Sequence, residues 1–179
     1  MEQNTCEGGS KSLDDYQPDK PSAPSRQHPR SFTFFGSFDH TLDNKGRIII
    51  PTVYRKPLGD VFTISITRDG EGIALYPDEV FDQLLEELYH LNQRKVAVQK
   101  YQAHLAKMSY RGMEADSQGR LLLPAKLRQA VLKDARDVEI SGALDHIRIV
   151  DSNAASQEDD YFCQHRGGIL EEIGNMDEE

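Results

Sequence analysis

Apolar residues in this 179-residue chain gather between about residues 34 and 151, and their period changes several times along that stretch. Phe34–Leu42 and Met108–Ala115 read as extended segments. Ile48–Ile50 and Leu121–Leu123 are continuous aliphatic runs, each closed by a proline, Pro51 and Pro124. Such runs predict short strands buried on both faces, as between interleaved hairpins. Each proline predicts the first residue of a short helix, where its missing N–H costs nothing. Two β-rich segments then follow in each half, Val61–Thr67 with Ile73–Tyr76 and Val138–Ser141 with His146–Val150. Glycine-bearing turns separate them, Asp69-Gly70-Glu71-Gly72 and Gly142-Ala143-Leu144-Asp145. Between the halves the period becomes helical. Pro77 opens one helix, with Val80, Leu84, Leu88 and Leu91 on a stripe that Phe81 and Leu85 widen. A second helix, about Arg94–Met108, carries Val96, Val98, Tyr101 and Leu105. Both stripes are read as faces that pack on strands.

The two halves are an internal repeat. Leu42-Asp43-Asn44-Lys45-Gly46-Arg47-Ile48-Ile49-Ile50-Pro51 aligns with Ala115-Asp116-Ser117-Gln118-Gly119-Arg120-Leu121-Leu122-Leu123-Pro124 at a constant offset of 73, and Arg55 then matches Arg128. Each unit reads β-turn-β-α-β-β over about fifty residues, too few to bury an independent core. The expected fold is α+β, mostly β, with two units sharing one core as a pseudo-two-fold barrel. The boundaries are 32–78 for the first unit, 79–107 for the connecting helices and 108–152 for the second unit. Residues 1–30, rich in Ser, Pro, Gly and charge, are expected to be disordered. Residues 153–179 are expected to be an acidic segment with one short helix near Ala154–Cys163, broken at Gly167-Gly168.

The formal charge of −9 at first argues against a nucleic-acid partner, but its placement changes that. Residues after Asp151 hold eight acids and one base, so the rest of the chain is close to neutral. Within it, Asn44–Lys56, Arg94–Lys107 and Ser117–Lys133 each hold four bases and no acid. Solvated helix faces account for a single run of this kind. Recurrence at matching motif positions turns the reading toward phosphate, because local potential rather than net charge governs that attraction.

The repeated turn carries the chemistry. Gly46 and Gly119 stand where a tight turn needs a positive φ. Asp43 and Asp116 can accept backbone N–H groups two residues on and fix the loop. Arg47 and Arg120 follow directly, each a planar fork that can bind phosphate or take guanine O6 and N7 together. Lys45 adds charge to the first turn, where the second has the uncharged Gln118. Arg55 and Arg128 lie one helical turn beyond the prolines, and Lys126 stands where the first unit has Val53.

These residues resemble the MraZ family, bacterial regulators built from two SpoVT/AbrB-like swapped-hairpin units. The resemblance covers about Phe34–Asp151 and rests on F-x-G-x-F-D-H-T-L-D-N-K-G-R-I-x-I-P together with D-S-Q-G-R-L-L-L-P-A-K-L-R. It implies a sequence-specific regulator of transcription that binds repeated elements in double-stranded DNA upstream of the division and cell-wall gene cluster. It also implies a ring-shaped homo-oligomer in the cytoplasm, associated with the nucleoid. The DNA-contacting residues it implies are Lys45, Gly46 and Arg47 in the first loop and Gly119 and Arg120 in the second. Arg55, Lys126 and Arg128 are added as basic candidates.

Two other readings are a ring-forming interaction scaffold with secondary DNA binding and an antitoxin-like AbrB module. An enzyme is not expected. The six histidines are scattered, and no P-loop or nucleophile motif is present. Cys6 and Cys163 have no metal-ligand spacing. No cofactor, metal or small-molecule substrate is expected. The N-terminus lacks the apolar core of a secretory signal, and no run could span a bilayer.

Overall fold

The computed structural model describes residues 33–176. The expectation of disorder over residues 1–30 lies outside that range, as does Cys6.

In chain order the first half is β1 (Ser37–Thr41), β2 (Arg47–Ile49), α1 (Thr52–Leu58), β3 (Phe62–Ile66) and β4 (Ile73–Pro77). Two helices follow, α2 (Asp78–Tyr89) and α3 (Val96–Met108). The second half is β5 (Tyr110–Met113), β6 (Arg120–Leu122), α4 (Ala125–Leu127) widening into a π-turn (Arg128–Leu132), β7 (Asp137–Gly142) and β8 (Ile147–Asp151). A last helix, α5, runs Ser152–Met176. The protein is therefore α+β with a mostly antiparallel β core.

Six strands form one sheet in the order β1-β7-β8-β4-β3-β5, and β2 pairs with β6 in a separate ribbon. Replacing each strand by its counterpart in the other half reverses that order onto itself. Each half lends its first strand to the other: β1 lies on β7, from Ser37 opposite Ser141 to Thr41 opposite Asp137. β5 likewise lies on β3. The halves meet at β4 and β8, where Ala74 faces Arg148. One core cluster accordingly draws on both halves, including Ile48, Tyr54, Ile64 and Leu75 with Leu121, Leu127, Ile140 and Ile149. Ala74 and Tyr76 face the other side of the sheet, where Phe81 and Leu84 of α2 cover them.

Four expectations are corrected. The hydrogen-bonded sheet stays open, with β1 and β5 as its ends, rather than closing into a barrel; the three-residue ribbon pairs only with itself. The aliphatic runs are not buried on both faces. Ile48, Ile50, Leu121 and Leu123 are buried, but Ile49 is 46% and Leu122 54% exposed, because a two-stranded ribbon has only one face on the core. Pro51, Pro77 and Pro124 stand one residue before their helices, with ψ of 137°, 139° and 128°. That extended ψ belongs to a cap rather than to the first helical turn.

The fourth correction concerns the C-terminus: α5 is 25 residues long and passes through Gly167-Gly168. Asp151 Oδ1 accepts the Asn153 N–H at 3.0 Å and caps its start. Arg148 donates from both Nη atoms to the Glu158 carboxylate at 2.6 Å, fixing the first turns on β8. Once nucleated, a helix elongates at little cost, so two glycines at about 1 kcal/mol each are absorbed by Gln164–Arg166 and Ile169–Glu172. Among the described residues no helix is long and apolar enough to cross a membrane.

Candidate nucleic-acid interface

The two Asp-x-x-Gly-Arg turns have the same internal geometry. Asp43 Oδ1 accepts the backbone N–H groups of Lys45 at 2.8 Å and Arg47 at 2.9 Å, and Oδ2 takes the Arg47 Nε at 2.6 Å. Asp116 does the same with Gln118 at 3.0 Å, Arg120 at 2.9 Å and the Arg120 Nε at 2.7 Å. The backbone N–H of Arg47, with the other donors of the turn, holds the Asp43 carboxyl down to about 2, and Asp116 is lowered for the same reason. Both carboxylates stay ionised far below neutral pH. Each aspartate therefore aims its arginine through Nε and leaves the two Nη groups of the fork for another partner.

Gly46 and Gly119 have φ of +77° and +78°, as the turn requires. They are also buried, and each is covered by an arginine from the other half. A Cβ on Gly46 would overlap the Arg128 guanidinium, and one on Gly119 would overlap that of Arg55. Arg55 Nε donates to the Ile50 carbonyl at 2.9 Å and Arg128 Nε to the Leu123 carbonyl at 3.3 Å. These two arginines clamp the end of each ribbon strand against the facing turn. Backbone bonds complete the join, from Ile50 N–H to Gly119 O at 2.9 Å and from Leu123 N–H to Gly46 O at 3.2 Å. Gly46→Ala is expected to lower stability by about 1–3 kcal/mol, from the left-handed backbone and the displaced Arg128. A thermal melt reads the loss, and an unchanged midpoint would show that the turn relaxes freely.

The ribbon register places both arginines on one face. Arg47 lies opposite Leu122, and Arg120 opposite Ile49. Ile48 and Leu121 point to the core between them, so the outer face carries Arg47, Ile49, Arg120 and Leu122. Two residues along the ribbon separate the arginines, or about 7 Å, and the flanking glycines stand about 13 Å apart. A two-stranded β-ribbon of this kind fits a major groove about 12 Å wide.

The surroundings of the two turns differ. Lys45 is exposed beside the first, and Arg136 donates to the Asn44 Oδ1 at 3.2 Å. Around the second, Asp60, Glu114 and Arg55 line a common hollow with Ser117 and Gly119. Lys126 is exposed on α4, just before the π-turn whose Arg128 clamps the first turn. Arg136 escapes sequence reading because Asp134 and Asp137 flank it and end the basic run. The exchange of Arg55 and Arg128 between turns also escapes it, since adjacency in sequence assigns each arginine to its own unit.

The family model described as "MraZ protein, putative antitoxin-like" matches residues 33–104. A protein of Lachnoclostridium phytofermentans named "Transcriptional regulator MraZ" is 36% identical over 116 residues, covering 65% of this chain and 79% of its own. Proteins of the same name come from Lactiplantibacillus plantarum and Finegoldia magna. The first is 40% identical over 100 residues, 54% of this chain and 67% of its own. The second is 33% identical over 129 residues, 69% and 85% respectively.

Proposed function

The chain belongs to the MraZ family, and from that premise we propose that it is a DNA-binding transcriptional regulator that reads duplex DNA with the outer face of the β2–β6 ribbon and its two turns. The observation that carries this reading is the pair of Asp-aimed arginines, Asp43–Arg47 and Asp116–Arg120, on one face of one ribbon. Arg47 and Arg120 present free Nη edges to bases or phosphates. Ile49 and Leu122 lie beside them as apolar partners for thymine methyls. Lys45, Lys126 and Arg136 contribute charge toward phosphate. Gly46 and Gly119 let the backbone approach closely, while Arg55 and Arg128 act mainly by holding the turns. The two halves are SpoVT/AbrB-like swapped-hairpin units, a reading supported by the 73-residue repeat and the palindromic strand order.

The targets are repeated elements upstream of the division and cell-wall gene cluster, including the protein's own gene. The working form is a homo-oligomeric ring associated with the nucleoid. Several subunits then meet several repeats, and weak contacts multiply through effective concentration. Lys45→Ala tests the phosphate part. The slope of log affinity against log salt should become shallower by about one unit per subunit contact while sequence preference is kept. An unchanged slope would remove Lys45 from the interface.

A further inference from the structure

Exchanging the two halves leaves the outer face of the ribbon almost unchanged. Arg47 and Arg120 are held by equivalent aspartates, and Ile49 and Leu122 are both aliphatic and about half exposed. The face alone would therefore lie on a duplex equally well in either direction. Any preference between the two directions comes from what surrounds the turns.

The strand register identifies the matched positions. His40 lies opposite Val138, and Met113, the counterpart of His40 in the repeat, lies opposite Phe62. Val138 and Phe62 are thus counterparts, and so are Arg136 and Asp60, two residues before them. Each stands beside a turn. Arg136 donates to the Asn44 Oδ1, and Asp60 shares a hollow with Ser117, the counterpart of Asn44. One position in the fold therefore carries a cation at the first turn and an anion at the second. Two further pairs act in the same sense. Lys45 is matched by Gln118, and Thr41 by Glu114, which lines the same hollow as Asp60. Asp60 and Glu114 are exposed and have no ion-pair partner among the described residues. Asp137 acts in the opposite sense, since its counterpart is Val61, but its carboxylate is engaged by the Thr41 hydroxyl at 2.9 Å. The short helices add nothing to the difference, with Arg55 and Lys56 in one half and Lys126 and Arg128 in the other.

Resting on the ribbon reading proposed above, we infer that the Arg136/Asp60 position fixes the direction in which a subunit lies on DNA. Arg136, with Lys45, seats the first turn against phosphate, where neutralised charge releases counterions. Asp60, with Glu114, keeps the second turn off phosphate, because like charges brought together there cost affinity. Phosphate contacts position a protein on the duplex and base contacts specify the sequence. Arg47 then reads its base from an anchored turn, whereas Arg120 reads without that anchor. Arg136 and Asp60 are positioning residues: they decide which half of the element each arginine meets. An element recognised in this way has a fixed direction despite the pseudo-two-fold form of the reader.

The test exchanges the two charges in the full chain, Asp60→Arg with Arg136→Asp, which leaves the net charge unchanged. Arg47→Ala and Arg120→Ala are then introduced separately into wild type and into the exchanged chain. Each protein is titrated on the duplex upstream of its gene by fluorescence anisotropy, with circular dichroism as the folding control. In wild type Arg47→Ala should cause the larger loss of affinity, and in the exchanged chain Arg120→Ala should. Asp60→Arg alone should steepen the slope of log affinity against log salt by about one unit, or about 3.5-fold more loss between 50 and 200 mM salt. That single variant decides the matter if the exchanged chain does not fold. The same order of losses in both backgrounds, equal losses in wild type, or an unchanged slope in Asp60→Arg would overturn the inference and leave the ribbon as the reading surface. Full affinity in wild type carrying either alanine would overturn the ribbon reading and this inference together.

Discussion

Arg47→Ala is expected to weaken binding to a cognate DNA site by about 1–3 kcal/mol, roughly 5- to 150-fold, the range of one bidentate base contact. Arg120→Ala should cost less. The two arginines have equivalent turns, but their neighbours differ in sign. The first turn has Lys45 exposed beside it and Arg136 bonded to Asn44. The second has Gln118, with Asp60 and Glu114 close by. Local potential at the first turn is thus more positive, and an arginine there gains more from phosphate proximity. Titration of a labelled duplex by fluorescence anisotropy at fixed salt checks the order. Equal losses would show that the turn geometry, not its surroundings, sets each contribution. A larger loss at Arg120 would reverse the assignment of the dominant loop.

The second large effect is structural. Leu121→Ala should cost about 2–5 kcal/mol of stability, as for other fully buried leucines. Leu121 is 0% exposed and pairs across the ribbon with Ile48, itself 1% exposed. These two side chains are the only residues of the paired segment that point to the core, so they attach the ribbon to the rest of the fold. Leu122→Ala, one residue on, removes a side chain that is 54% exposed and should change stability by less than about 1 kcal/mol. Chemical denaturation of both variants measures the contrast. Similar losses would mean that the ribbon is buried on both faces after all. DNA binding should follow the reverse order once both variants are measured well below their unfolding midpoints, since Leu122 lies on the outer face opposite Arg47.

That contrast shows what the sequence reveals and what it hides. Three consecutive leucines, or isoleucines, carry no alternation, so period alone cannot say which face is wet. The register against the other strand decides it, and that register comes from pairs between distant parts of the chain, Ile48 with Leu121 at their centre. The turn itself is local and was legible: Asp, Gly and Arg at fixed offsets specify side-chain acceptor, positive φ and projecting fork within five residues. The repeat is equally legible, because it needs only the sequence compared with itself. What it cannot reveal is exchange between the halves. Arg55 and Arg128 follow their own turns in sequence, yet each covers the glycine of the other turn. The same exchange places β1 on β7 and β5 on β3. The start of α5 was expected near Ala154, but its length was not, for a different reason. Gly167-Gly168 reads as a break by propensity, while the Asp151 cap and the Arg148–Glu158 pair that start the helix depend on the tertiary fold.

The measurement that bears most directly on the DNA reading uses the duplex immediately upstream of the protein's own gene and a shuffled duplex of the same length and composition. Wild type and the Arg47→Ala/Arg120→Ala double variant are titrated into each by mobility shift at several salt concentrations. Wild type should bind the upstream duplex more tightly than the shuffled one at every salt. The double variant should lose that preference and bind both alike, with its residual affinity carried by Lys45, Lys126 and Arg136. A double variant that still prefers the upstream duplex as strongly as wild type would contradict the assignment of the ribbon as the reading surface.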